Sequence, residues 1–155
     1  MGAAPRTLKQ RAIAHLARRE YPRAELRARL LATGATAAEV DPLLDELAAS
    51  GFLSDARFAQ GVVRQKAGGY ARRAIARTLK EKGVGDEAAR DALAAIDPAD
   101  ELAQATALWQ RRFGAPPADD REKARQLRFL LSRGYGPGIA FKVLRAAGAR
   151  VDEES

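Results

Sequence analysis

The sequence contains no cysteine and no asparagine, and it has a single histidine, His15. Without cysteine there is no disulfide framework and no thiolate metal site, and a histidine-based metal centre would rest on His15 alone. No apolar run approaches the ~20 residues that span a bilayer, and the N-terminus lacks the apolar core of a signal peptide. We therefore expect a cytoplasmic protein without a metal, a cofactor or a membrane partner.

Motifs of the common enzyme classes are also missing. There is no Gly-rich phosphate loop ending in Gly-Lys-Ser/Thr and no Gly-x-Ser-x-Gly nucleophile motif. The three alternating glycines at 134–138 do not follow a predicted strand, so we interpret them as a helix break and not as a dinucleotide-binding turn. His15 borders the apolar face of the first predicted helix, which favours a packed or surface histidine over a catalyst. The sequence therefore favours a non-enzymatic protein.

The composition is typical of helices. Aromatic residues make up only 6% of the chain and charged residues 30%, whereas alanine and leucine dominate the apolar 46%. We therefore predict an all-α fold with almost no sheet. The formal net charge is +7, which favours a polyanionic partner such as nucleic acid or a surface that coats it.

Three segments share one spacing pattern. Each begins with a tyrosine, followed by apolar residues five and nine positions later and a glycine thirteen positions later. The first copy is Tyr21, Leu26, Leu30 and Gly34; the second is Tyr70, Ile75, Leu79 and Gly83; the third is Tyr135, Ala140, Leu144 and Gly148. The third copy carries an insertion before its tyrosine, which we assign to the loop at 114–117. The pattern predicts an elongated array of three tandem three-helix repeats, the third with an insertion.

Turn and cap signals divide the array. We predict repeats at residues 1–55, 56–98 and 99–150, followed by a frayed tail at 151–155. The predicted helices cover about 6–20, 23–33, 37–50, 55–67, 70–80, 86–96, 99–113, 120–133 and 139–147. The third helix has two acceptable starts: after Thr36, which has capping-box spacing to Glu39, or at Asp41, with Pro42 in the first turn.

The junction Gly51-Phe52-Leu53-Ser54-Asp55-Ala56-Arg57-Phe58-Ala59 joins the first two repeats. Phe52 and Leu53 are expected to be buried there, as is Leu47 before them, and Ser54 or Asp55 is expected to cap the next helix. Trp109 and Phe113, four residues apart, fit a core position better than a partner anchor. The three repeat tyrosines likewise fit helix packing better than base stacking.

Charge also follows the repeat. The third helices of the first two repeats are acidic, whereas the first and second helices are basic, so stacking would give separate basic and acidic faces. The predicted basic face, our candidate site for a partner or DNA, comprises Arg64, Lys66, Arg72, Arg73, Arg77, Lys80, Arg125, Arg128, Arg133 and Lys142. The set Arg72, Arg73 and Arg77 is expected to lie on a solvated surface.

Three stretches resemble the RecX family. The junction at 51–59 is similar to the family's Gly-aromatic-Leu-polar-Asp junction, and Glu25-Leu26-Arg27-Ala28-Arg29-Leu30 is similar to its Glu-Leu-Arg-x-x-Leu segment. Arg128-Phe129-Leu130-Leu131-Ser132-Arg133-Gly134-Tyr135 resembles its Arg-Phe-Leu-x-x-Arg-Gly-aromatic segment. The likeness extends over residues 8 to 148.

The resemblance implies a helical modulator of RecA in homologous recombination, DNA repair and the SOS response. Members of the family bind the RecA filament on single-stranded DNA and lower strand exchange and ATP hydrolysis, and some bind DNA themselves. The expected partner is therefore the RecA filament, bound by a monomer. The alternative is a sequence-tolerant protein that contacts the phosphates of single- or double-stranded DNA, because a chain without asparagine is poorly equipped to read bases.

Overall fold

The computed structural model describes residues 5–97 and 101–148. Over these ranges the chain forms nine helices and no strand. The helices are α1 (Leu8–Arg18), α2 (Arg23–Leu31), α3 (Ala37–Ala49), α4 (Asp55–Lys66), α5 (Arg72–Glu81), α6 (Asp86–Leu93), α7 (Glu101–Arg112), α8 (Asp120–Ser132) and α9 (Pro137–Ala146). The all-α prediction is confirmed. The tail predicted at 151–155 lies outside the described residues.

The described chain folds as two compact units. The first contains residues 5–63 and 77–94, and the second contains 64–76, 95–97 and 101–148. The predicted second repeat, 56–98, thus contributes to both units, because the division crosses α4 after Val63 and α5 after Ala76. The boundaries of the three repeats remain a prediction.

The first unit places α2 against α1 and α3 around a leucine-rich core. The side chain of Thr36 accepts a hydrogen bond from the Glu39 backbone, and the Glu39 side chain accepts one from the Thr36 backbone. This capping box starts α3 at Ala37, the first of the two predicted starts, and leaves Pro42 inside the helix. Val40, one turn into α3, is fully buried.

The repeat pattern is visible in the backbone. The three pattern glycines follow α2, α5 and α9, and all have positive φ, between 78° and 94°. All six apolar residues between tyrosine and glycine are fully buried. They are Leu26, Leu30, Ile75, Leu79, Ala140 and Leu144. The shared spacing therefore marks the buried face of the second helix in each predicted repeat, together with the left-handed residue that ends it.

The prediction for Phe52 is wrong, since 52% of its surface is exposed. After α3, Gly51 reverses the backbone at φ 84°, and the N–H of Leu53 donates to the carbonyl of Leu47. This bond draws Leu53 into the core and leaves Phe52 on the outer side of the turn. Leu47 and Leu53 are buried as predicted, and Ser54 Oγ caps α4 by accepting from the backbone of Arg57.

The second unit packs α7 against α9 and α8. Trp109 on α7 is buried, and its Nε1–H donates to Gln126 Oε1 of α8 over 2.8 Å. The Gln126 amide donates in turn to the carbonyl of Ala115 in the α7–α8 loop. Tyr135, between α8 and α9, is also fully buried, and no described residue forms a hydrogen bond with its hydroxyl. Burial raises the pKa of Tyr135, with a smaller contribution from Glu101.

Candidate partner-binding surface

Most cations on α1 and α2 of the first unit are neutralised by carboxylates within it. The ion pairs join Lys9 to Glu46, Arg19 and Arg29 to Glu25, Arg23 to Asp45, Arg27 to Asp41, and Arg57 to Glu20. Three of these carboxylates lie on α3, so the acidic third helix pairs with the basic helices beside it. In this unit the charges are interleaved, whereas the sequence predicted separate basic and acidic faces.

Two of these pairs shift the titration of their carboxylates. The hydrogen bond from Arg19 lowers the pKa of Glu25. The hydrogen bond from Arg27 lowers the pKa of Asp41 in the same way. Both carboxylates are charged at neutral pH and stay charged further into the acid range, so they offset positive potential around α2.

The second unit presents cations without such partners. Arg64, Arg128 and Lys142 are exposed and form no ion pair with any described residue, and half-buried Arg72 forms none either. Arg125 does pair with Glu122, at 3.3 Å. Much of the positive charge of the predicted face therefore remains available to an external anion.

Three aromatic rings of the second unit alternate with four cations. We call this row the cation–aromatic ladder; its members in order are Lys66, Tyr70, Arg133, Phe129, Arg112, Phe113 and Arg125. Each cation lies 4.4–5.7 Å from the centre of the neighbouring ring. Such contacts are worth about 0.5–1 kcal/mol each at partly exposed sites. The ladder therefore fixes guanidinium groups at a surface that also contains half-buried rings.

Two arginines of the predicted face support the backbone. Arg133 donates to the carbonyl of Gly69 over 3.1 Å, and Arg73 Nε donates to the carbonyl of Gly134. The N–H of Ala71 also donates to the carbonyl of Arg133, over 2.7 Å. Arg73 is exposed, as predicted, and its side chain also ties the start of α5 to the α8–α9 turn. Arg77 and Lys80 are exposed on the part of α5 that belongs to the first unit.

An open groove of about 850 Å³ lies between the end of α7, the α7–α8 loop and the first half of α8. Arg112, Arg121, Arg125 and Arg128 line it, together with Phe113. Arg125 and Arg128 belong to the basic face predicted from the sequence, whereas Arg112 and Arg121 do not. Arg121 could have been found, because it precedes Arg125 by four and Arg128 by seven residues, the spacing of one helix face.

Aromatic residues divide between the core and this surface. Trp109 is a core residue, as predicted, while Phe113 is half-buried and makes an edge contact with Phe129, with ring centres 5.3 Å apart. Tyr21 and Tyr135 are buried packing residues, as predicted. Tyr70 differs, because it is half-exposed between two cations of the ladder.

No helix within residues 5–97 and 101–148 combines the length and the apolar character needed to cross a bilayer. Within the same ranges, no three histidine, aspartate or glutamate side chains cluster in a way that could hold a metal ion.

The helices and the repeated glycine turns of the described residues define an all-α protein built from three-helix elements. Models of the RecX family match two parts of it: the second three-helix domain matches residues 54–93 and the third matches residues 99–144. The chain belongs to the RecX family.

Relatives that match over nearly the full length of both chains support this assignment. A regulatory protein RecX from Ralstonia nicotianae is 40% identical over 96% of this chain and 93% of its own. One from Leptothrix cholodnii is 44% identical over 96% of this chain and 94% of its own. The crystal structure of RecX from Lactobacillus salivarius matches with a TM-score of 0.71 at 18% identity, over 91% of this chain and 94% of that one. The relatives are named regulatory proteins, and the solved structure shares the fold.

Proposed function

We propose that this chain regulates RecA by binding the RecA filament on single-stranded DNA and lowering strand exchange and ATP hydrolysis. It acts in the cytoplasm, as a monomer, and without an enzymatic step of its own. Membership of a family of regulatory proteins supports the regulatory role. The link to RecA comes from what membership of this family implies.

The observation that carries the proposal is the uneven neutralisation of charge. In the first unit, carboxylates of α3 pair with Lys9 of α1 and with Arg23 and Arg27 of α2. In the second unit, Arg64, Arg128 and Lys142 have no such partner among the described residues. A filament of recombinase on DNA offers phosphates and acidic side chains, and unpaired guanidinium groups bind both kinds of anion.

The cation–aromatic ladder favours a second candidate, a sequence-tolerant DNA-binding protein. Rings set among arginines are a common means of holding single strands, because bases stack on the rings while the cations meet phosphates. The absence of asparagine leaves glutamine as the one amide side chain that could read adenine. In this alternative the chain would act by covering DNA, with no specific contact to the recombinase.

Co-sedimentation separates the two candidates. The protein is mixed with RecA filaments assembled on single-stranded DNA with a non-hydrolysable nucleotide, and in parallel with the same DNA alone. The test variant replaces Arg64, Arg128 and Lys142 by alanine. The control variant replaces Lys9, Arg27 and Arg29, which lowers the net charge equally but removes cations that are already paired.

We expect the wild type to sediment with filaments at concentrations where DNA alone retains little of it, and the test variant to lose ~10-fold or more in affinity. The control variant should bind within about twofold of the wild type. Equal retention on bare DNA and on filaments would replace the proposal with the DNA-binding alternative. Equal binding by the two variants would reject the proposed surface.

A further inference from the structure

We infer that α1 carries a second anion-binding site, separate from the predicted basic face, which takes the phosphodiester backbone of nucleic acid. A groove of about 760 Å³ lies along this helix. Its lining consists of Arg6, Arg11, Ala14, His15, Ala17 and Arg18. Three arginines and a histidine therefore share one groove that contains no carboxylate.

The pairing of charges in the first unit singles out these arginines. Two neighbouring cations are neutralised: Lys9, on α1, pairs with Glu46, and Arg19, just after α1, pairs with Glu25. Arg11 and Arg18 are exposed and form no ion pair with any residue in the described ranges. The cations that point into the groove are thus the unpaired ones, although acidic residues neutralise others along the same helix.

The spacing of the arginines in the groove matches the spacing of phosphates along a nucleic-acid strand. Arg11 and Arg18 are seven residues apart, which is about 10 Å along a helix. Phosphates of one strand of a duplex advance about 3.4 Å per nucleotide along the axis, so the two arginines span about three steps. Ala14 and Ala17 between them have short side chains, so a backbone can approach the helix closely.

The residue types also favour phosphate. Guanidinium groups bind phosphate oxygens through two parallel hydrogen bonds, and all three cations here are arginine. His15 adds an imidazole donor at the edge of the groove while its ring packs against Tyr21, with centres 5.6 Å apart. This contact with a buried tyrosine holds the imidazole in place between the two arginines.

The test is a titration of fluorescein-labelled 20-nucleotide DNA, single-stranded and duplex, followed by anisotropy at several salt concentrations and without RecA. The variant Arg11→Ala/Arg18→Ala removes the two groove arginines that lie on α1 itself. The control Lys9→Ala/Arg29→Ala removes two paired cations, so both variants have the same net charge. Circular dichroism of each variant checks that helix content is retained, which we expect because alanine is the best helix former.

The variant Arg11→Ala/Arg18→Ala should bind at least one form of the DNA ~10-fold more weakly than the wild type. The slope of log affinity against log salt concentration should become shallower by ~1.4 for single strands or ~1.8 for duplex. The control should stay within about twofold. Equal DNA binding by the two variants would overturn the inference. A parallel titration uses labelled poly-glutamate as a mimic of an acidic protein surface. If only poly-glutamate binding, and not DNA binding, depends on Arg11 and Arg18, the inference is also overturned. Because no recombinase is present, the outcome is independent of the proposed regulation of RecA.

Discussion

Replacing Gly134 by alanine tests the contact between the α8–α9 turn and α5. Gly134 has a φ of +94°, and a Cβ at this position would lie 2.6 Å from the Cβ of Ala74 and 3.3 Å from that of Ala71. Contacts below 3.0 Å between such atoms force the backbone to move. The substitution therefore combines a strained φ with overpacking against a neighbouring helix.

The two contributions can be separated with Gly34 as a control. Gly34 has the same φ of +94°, but no atom lies within 4 Å of the Cβ that a substitution would add. Gly34→Ala should cost about 1 kcal/mol, since strain is partly offset by the reduced entropy of the unfolded chain. Gly134→Ala should cost about 2–4 kcal/mol, because overpacking adds roughly 1–3 kcal/mol to the strain.

Urea denaturation measures both costs. Trp109, the single tryptophan, is buried in the second unit, so its fluorescence reports unfolding around Gly134, while circular dichroism reports all helices. Ala74→Gly relieves the clash, so the double variant Gly134→Ala/Ala74→Gly should be more stable than the sum of the single effects by about 1–3 kcal/mol. Equal costs for Gly34→Ala and Gly134→Ala, or simple additivity in the double variant, would show that no clash with Ala74 destabilises Gly134→Ala.

Three further predictions concern buried polar groups and ion pairs. Gln126→Leu should cost about 1–3 kcal/mol in urea denaturation, because the buried Trp109 N–H loses its acceptor; a change below 0.5 kcal/mol, on the scale of exposed substitutions, would contradict this. Tyr135→Phe should be neutral or stabilising, since the buried hydroxyl has no described partner; a loss above about 1 kcal/mol would show that it has one. Glu25 has a lowered pKa in the folded state, so it stabilises the fold above its usual pKa of about 4.3, and this stabilisation disappears as the pH falls through the lowered value. The advantage of the wild type over Glu25→Gln in thermal melts should therefore shrink below pH 4, and a constant difference from pH 7 to pH 3 would exclude the pair with Arg19 as its source.

Much of the fold could be predicted because local signals agree with each other. Positive-φ glycines, caps and apolar spacing all report on the same helix ends, so the second helix of each predicted repeat is placed well. Phe52 shows where prediction from local sequence signals fails. Whether Phe52 or Leu53 turns inward after Gly51 depends on one hydrogen bond, from the Leu53 N–H to the carbonyl of Leu47. Neither composition nor periodicity contains that information.

The candidate surface was harder to predict, since charge on a helix does not reveal what the charge contacts. Arg73 and Arg64 look equivalent in the sequence, yet one binds the carbonyl of Gly134 and the other forms no ion pair among the described residues. The α1 groove was missed for the same reason. Arg11 and Arg18 differ from Lys9 only in the folded structure, where Lys9 pairs with the distant carboxylate of Glu46 and the two arginines line the groove.

The proposed regulation of RecA through its filament can be measured as ATP hydrolysis. Hydrolysis by the host RecA on single-stranded DNA is followed while the protein is added in substoichiometric amounts. We expect inhibition well below one molecule per RecA, and weaker inhibition by the variant in which alanine replaces Arg64, Arg128 and Lys142. Unchanged hydrolysis, or inhibition only at concentrations that coat the DNA, would contradict the proposed regulation.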